Sequence, residues 1–224
     1  MSPDDWILGI DEAGRGPVLG SMVLAGLWVR RRDLHSLSSS GAADSKKLSH
    51  KKRESIEARL LDLGMPFRRL VFSARELDAG NLNTLCLGGI VRMVAERPPH
   101  ELQLDAPVPS RRLPNYRDKV RALLHENALN VQVITAENHA EDLFPAVAAA
   151  SILAKTKRDR LLRSDLAPYE SQFGSAGSGY PSDPTTRNFI RNCLSHGELP
   201  PVVRSRWGTI KNIQAEMAQA ALFK

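Results

Sequence analysis

The sequence predicts an α/β protein built on a mixed sheet, and three observations carry that prediction. Short apolar runs of strand length alternate with longer stretches of helical periodicity, the pattern of a layered α/β architecture. The first two runs, Trp6 to Ile10 and Ser21 to Val29, have only 10 residues between them. That is too few for a helical crossover, so the pair must form an antiparallel hairpin. Finally, 42% of the 224 residues are hydrophobic. A sizeable core is therefore affordable, and a disordered chain is excluded.

Each element follows from local chemistry. Trp6 to Ile10 reads as a buried strand ending at Asp11, and a Gly-rich turn leads into the second strand. Arg30 to Ser49 is polar and Ser-rich and reads as a surface loop. Ser49 is placed to cap the next helix, whose apolar face is Ile56, Leu60 and Leu63. Phe67 to Ser73 reads as a third strand and Leu82 to Glu96 as a helix, despite Gly88 and Gly89. Glu101 to Leu104 is a short strand that delivers Asp105 at its end. Tyr116 to Glu126 reads as a helix and Leu129 to Ile134 as the last strand. From Pro145 a helix runs through AVAAASILAKTKRDRLL, with proline suited to its first turn and small residues allowing close packing on a sheet. After the glycine, serine and proline loop 174–184, helices are expected over Thr185 to Leu194 and Thr209 to Leu222.

Composition narrows the partners. The net charge of +6 favours a polyanion. Two cysteines without a CxxC pair exclude a disulfide scaffold and a cysteine zinc site, and fit a reducing cytoplasm. The start shows no basic segment followed by an apolar stretch, so no secretory signal is expected. No apolar run approaches the ~18 residues of a membrane helix.

The most informative stretch is Gly9-Ile10-Asp11-Glu12-Ala13-Gly14-Arg15-Gly16-Pro17. Two adjacent acids close an apolar strand, two glycines allow close backbone approach, and Arg15 supplies a fixed positive charge. Carboxylate oxygens beside an arginine suit Mg²⁺ held against a phosphate. A tight hairpin with solvated acids accounts for this stretch equally well. Asp105, at the end of another strand and followed by Ala106-Pro107, tips the balance, and Glu141-Asp142 adds a third acidic position before the helix at Pro145. Acids at element ends of one α/β core are the raw material of a two-metal centre, with ions ~3.5–4 Å apart. The plain alternative for Glu141-Asp142 is a favourable helix-dipole interaction. His139 is close by, but a lone loop histidine is more often simply solvated. A phosphate-loop enzyme is set aside, because neither G-x-x-x-x-G-K-[ST] nor G-x-G-x-x-G occurs.

These segments together resemble type 2 ribonuclease H (ribonuclease HII). The matching stretches are Asp11 to Pro17 with Leu19-Gly20, Asp44-Ser45-Lys46-Lys47-Leu48, Leu82-Asn83-Thr84-Leu85, Pro145 to Lys155, and Gly177 to Pro184. Val203-Arg204-Ser205-Arg206-Trp207 is similar to a stretch near the end of archaeal and eukaryotic members. The resemblance implies a ribonuclease H-like fold, a five-stranded mixed sheet flanked by helices, with a helical C-terminal extension. On this reading residues 1–165 form the catalytic core and 166–224 the extension, packed as one structural unit. It further implies a monomeric, cytoplasmic endonuclease that uses two Mg²⁺ or Mn²⁺ ions. Such an enzyme cuts the RNA strand of RNA–DNA hybrids, or DNA duplexes at embedded ribonucleotides, leaving 5′-phosphate and 3′-hydroxyl ends.

Residue by residue, Asp11, Glu12 and Asp105 match the family's first three catalytic, metal-binding acids. The fourth position, an Asp in the family, is Glu141 here. Glu141 is the favoured ligand, Asp142 the fallback after a local shift, and a weakened enzyme that only binds hybrid is the third possibility. A carboxylate displaced by an ångström can cost ~10²-fold in rate. For substrate binding, the resemblance assigns Gly14, Arg15 and Gly16 to the 2′-hydroxyl, the one sugar group separating RNA from DNA. Tyr180 is assigned to stacking on the neighbouring sugar, with Ser45, Lys46 and Asn83 completing the set. Arg204, Arg206 and Lys211 are expected on backbone phosphates. Sliding-clamp docking lacks a clear motif in Gln219 to Lys224.

Overall fold

The computed structural model describes residues 2–42 and 48–222; Ser45 and Lys46 lie outside them. The elements are β1 (Trp6–Ala13), β2 (Met22–Arg30), α1 (Leu34–Ser38), α2 (His50–Asp62), β3 (Phe67–Phe72), α3 (Ala74–Ala79) and α4 (Leu82–Glu96). They continue with β4 (Glu101–Asp105), α5 (Leu113–Glu126), β5 (Val133–Glu137), α6 (Pro145–Phe173), α7 (Pro184–Ser195) and α8 (Gly208–Leu222). The five strands lie in the order β3-β2-β1-β4-β5. β1 and β2 pair antiparallel, while β1 with β4 and β4 with β5 pair parallel. This is the mixed sheet the short first connection requires.

The chain divides into two compact units: 1–13, 23–70 and 83–157, and then 14–22, 71–82 and 158–224. In the first, the centre of the sheet is largely apolar, with Ile7, Leu8, Ile10, Leu24, Leu27, Leu102 and Leu104 all buried, while Gln103 on β4 is buried with its amide donating to Glu101 at 2.7 Å. The start of α6 lies directly on it. A Cβ added at Gly9 would sit 2.3 Å from the Ala146 carbonyl carbon and 2.5 Å from the Val147 nitrogen. Gly9 on the strand and Ala146, Ala149 and Ala150 on the helix thus permit a main-chain approach that larger side chains forbid. In the second unit Val18, Leu19, Leu162, Leu166, Phe173, Phe189, Ile190, Val203 and Ile213 form a separate apolar cluster. Phe173 and Phe189 meet edge to face at 6.1 Å.

Several boundaries differ from the sequence reading, some for local reasons and some through distant contacts. The stretch after β2 is not all loop: a 3-10 turn (Arg31–Asp33) leads into α1, which buries Leu37. Arg31, at the start of this stretch, forms an ion pair with Glu101 at 2.6 Å. Leu63 is the exposed C-cap of α2 instead of part of its buried face. β3 ends at Phe72 because Ser73 caps α3 in a reciprocal capping box with Glu76. Leu129 to Gln132 do not belong to β5. Leu129 donates to the Leu124 carbonyl in closing α5, and β5 starts four residues later, with Val133 paired to Glu101. α6 continues past Leu162 to Phe173 with Pro168 inside it, because Leu166 and Phe173 anchor its second half in an apolar cluster. Among the described residues no helix is long and apolar enough to cross a membrane.

Candidate active site

The parallel register delivers the first acids. Ile10 pairs with Leu104, which sets Asp11 and Asp105 as the next residues at the carboxyl ends of adjacent strands. Strand alternation sends Asp11 and Glu12 to opposite faces. Asp11 is buried (5% exposed) and Glu12 half-buried. An Asp11 oxygen accepts the Glu12 N–H at 2.7 Å.

Glu141 arrives by a different device. After β5, His139 adopts a left-handed conformation (φ 58°), and Ala140–Asp142 form a 3-10 turn. The Ala140 N–H donates to an Asp105 oxygen at 2.9 Å. Asp105 thereby ties down the turn that carries Glu141. The turn buries Glu141 (7% exposed) and leaves Asp142 exposed.

The electrostatics record the convergence. Burial pushes the Asp11 carboxyl up from 3.8 to about 7, and the neighbouring charges of Asp105 and Glu141 push in the same direction. A hydrogen bond from the Ser151 hydroxyl and the charge of Lys155 oppose the shift. Lys155 in turn donates to the Ser151 hydroxyl at 2.7 Å. Ser151 and Lys155 are one turn apart on α6 and share a face. Neither was singled out for this site from sequence; their i, i+4 spacing after the acidic turn was the available signal.

The donors are all carboxylate oxygens, the hard ligands that Mg²⁺ and Mn²⁺ take. Burial lifts Asp11 most and the charges of Asp105 and Glu141 add to it; a divalent cation would offset both, so the residues fit such an ion. Among the described residues no group of three His, Cys, Asp or Glu side chains forms a ready cage. The fit rests on donor chemistry and charge.

In the second unit, Gly14 has φ 89° and a Cβ there would lie 2.7 Å from the Ser21 carbonyl oxygen, so only glycine suits the position. A Cβ at Gly16 would contact the Tyr180 ring at 3.5 Å, which brings together the expected Gly-Arg-Gly turn and the expected tyrosine. Tyr180 is 41% exposed. Its loop is well tied: Asp183 accepts from the Ser178 N–H and hydroxyl, both at 2.7 Å, and from the Thr185 N–H at 2.9 Å. These bonds hold the Asp183 carboxyl down near 2. The Gly179 carbonyl accepts from Val18 N–H at 2.8 Å and Leu19 N–H at 3.3 Å, joining the two loops.

Asn83 is exposed in the first turn of α4, in the first unit. Arg204, expected on a phosphate, has no exposed surface at all. It donates instead to main-chain carbonyls, an arrangement sequence reading missed.

A five-stranded mixed sheet with acids at the ends of neighbouring parallel strands is a ribonuclease H-like fold. The family profile described as "Ribonuclease HII" matches residues 8–210. A ribonuclease HII of Thermococcus onnurineus is 38% identical over 218 residues, covering 95% of this chain and 92% of the relative. The solved ribonuclease H2 of Pyrococcus horikoshii OT3 superposes with a TM-score of 0.80 at 30% identity, over 96% of this chain and 99% of that one. An Archaeoglobus fulgidus RNase HII, solved in complex with PCNA, gives 0.76 at 32% identity, over 92% and 96%. The chain belongs to the ribonuclease HII family, and it is a ribonuclease H.

Proposed function

We propose that this enzyme hydrolyses the RNA strand of RNA–DNA hybrids and also cuts duplex DNA at single embedded ribonucleotides, using two divalent ions held by Asp11, Glu12, Asp105 and Glu141. The observation that carries the proposal is the buried Asp11 carboxyl set beside Asp105 by the parallel register, lifted to about 7 by burial with the charges of Asp105 and Glu141 adding to it. The chemistry supplied by bound Mg²⁺ or Mn²⁺ is Lewis acidity and charge neutralisation, as hydrolysis to 5′-phosphate and 3′-hydroxyl ends requires.

The chain's own groups do the rest. Ser151 donates to Asp11 and Lys155 donates to Ser151, which orients the Asp11 carboxylate and favours its charged form. Asp105 anchors the turn bearing Glu141. The burial of Glu141 and exposure of Asp142 support Glu141 as the fourth acid. Gly14, Arg15 and Gly16 recognise the 2′-hydroxyl and Tyr180 stacks on the adjacent sugar, roles supported by the approach of the Tyr180 ring to within 3.5 Å of where a Cβ on Gly16 would lie. Ser45 and Lys46, outside the described residues, and the exposed Asn83 are assigned to the nucleic-acid backbone. The enzyme works as a cytoplasmic monomer. PCNA, seen with the A. fulgidus relative, is a candidate partner to be tested by binding.

The test is cleavage of a duplex with one ribonucleotide, with Mg²⁺ or Mn²⁺, by the wild type and Asp11→Asn. Cutting at the ribonucleotide that leaves 5′-phosphate and 3′-hydroxyl ends, and its loss in the variant, are expected. Tight hybrid binding without cleavage by the wild type would reduce the protein to a binder.

A further inference from the structure

An arginine with no exposed surface is costly, because its guanidinium gives up its hydration. All three side-chain nitrogens of Arg204 are spent on one loop. Nε donates to the Gly20 carbonyl at 2.9 Å, Nη1 to Arg15 at 3.2 Å and Nη2 to Gly14 at 2.5 Å. The guanidinium lies 4.8 Å from the centre of the Trp207 ring. Its own main chain is locked to the same loop: the Arg204 N–H donates to Val18 at 2.9 Å, Gly20 N–H donates to Val202 at 2.8 Å, and Leu19 bridges Val203. Burial, with repulsion from Arg158, lowers its pKa to about 10, so it remains charged at neutral pH.

An apolar side chain of similar volume would fill this space without the desolvation cost. The fork does something such a side chain cannot. Among the described residues no peptide bond is cis, and a trans peptide points its carbonyl and N–H to opposite sides. Holding the Gly14 and Arg15 carbonyls therefore turns the N–H groups of Arg15 and Gly16 away from the arginine. Gly16 is also where the Tyr180 ring approaches.

We propose that Arg204 is a positioning residue for ribonucleotide recognition: it touches no substrate, and its fork sets the direction in which the Gly14-Arg15-Gly16 main chain presents its N–H donors beside Tyr180. This rests on the role given to that turn under Proposed function. Preorganised main-chain donors spare the reorganisation that a mobile loop would need at each turnover.

Arg204→Lys and Arg204→Met separate this role from a phosphate contact. The measurements are kcat and KM on a single-ribonucleotide duplex, affinity for that duplex and for its all-DNA counterpart, and the salt dependence of each. Positioning predicts kcat lower by about 10²-fold and a preference for the ribonucleotide duplex reduced about tenfold, the worth of one hydrogen bond. Affinity for all-DNA duplex and its salt slope stay unchanged. Lysine keeps the charge but not the fork, and does not restore kcat. A phosphate contact would instead lower the salt slope by about one ion and be rescued by lysine; either result overturns the proposal, as does wild-type kcat and preference in Arg204→Lys. If Arg204→Met fails to fold, Arg204→Lys decides. Amide exchange at Arg15 and Gly16 gives an activity-free readout: faster exchange in Arg204→Lys, with the sheet unchanged, supports the proposal, and unaltered exchange sinks it. That readout stands even if the wild type proves not to cut, a result that would fall on the proposed function alone.

Discussion

The acidic end of the sheet and the glycine loop are built on opposite electrostatic terms. Around Asp11, like charges are concentrated in a buried place, and a carboxyl is driven to about 7 against its ordinary 3.8. Around Gly14 to Gly20, by contrast, one buried cation meets three carbonyls, and the Tyr180 loop is tied by Asp183 and Thr186. The first region holds a carboxylate that burial, with smaller help from like charges, penalises and a cation would relieve. The second stores order. Repulsion is useful where a charged cofactor must be drawn in, and order where a neutral hydroxyl must be recognised.

Asp11→Asn breaks that contrast most sharply. Cleavage should vanish, yet the metal-free protein should become more stable at neutral pH. The folded state holds a proton on Asp11 that the unfolded chain has already released between pH 3.8 and about 7. Wild-type stability therefore falls as pH rises through that window, and the variant escapes the loss. The gain, on the order of 2–4 kcal/mol at pH 8 and vanishing near pH 3.5, is read from denaturant midpoints across pH. A variant no more stable than wild type at pH 8 would show that Asp11 is not under strain.

The fourth acid is sharpened next. Glu141→Gln should lower kcat about 10²-fold and Asp142→Asn by less than about threefold, since Asp142 is an exposed side chain. The opposite ranking in steady-state assays would transfer the role to Asp142.

Gly9→Ala probes the packing under the acids. Its Cβ would collide with Ala146 and Val147 main chain, so a loss of about 1–3 kcal/mol is expected. A melting temperature equal to wild type would mean that α6 can retreat from the sheet without penalty.

Tyr180→Ala should leave stability unchanged and act on cleavage alone. The side chain is 41% exposed, so the melting curve should hold, while cleavage at a single ribonucleotide falls about tenfold, the worth of one stacked base or sugar. Unchanged junction cleavage would remove Tyr180 from recognition.

How much of this was legible beforehand varied with the range of the interaction. The hairpin, the Ser49 cap and the small-residue helix at Pro145 were readable because a few neighbouring residues decide them. The capping box at Ser73 and Glu76 was equally local, but was absorbed into the preceding strand. The start of β5 was not readable. Leu129 and Val131 have strand-like apolarity, and only the pairing of Glu101 with Val133 places the strand.

By itself, then, the sequence determined the mixed α/β class, the acids at strand ends and the family, since alternation, turn spacing and motif order are properties of neighbours along the chain. Only the tertiary structure decided that Glu141 is buried while Asp142 is not, that Ser151 and Lys155 face Asp11, and that Arg204 serves carbonyls. Those outcomes depend on which groups lose water together, and residues as far apart as Gly14 and Arg204 share a desolvated space only once the chain has folded.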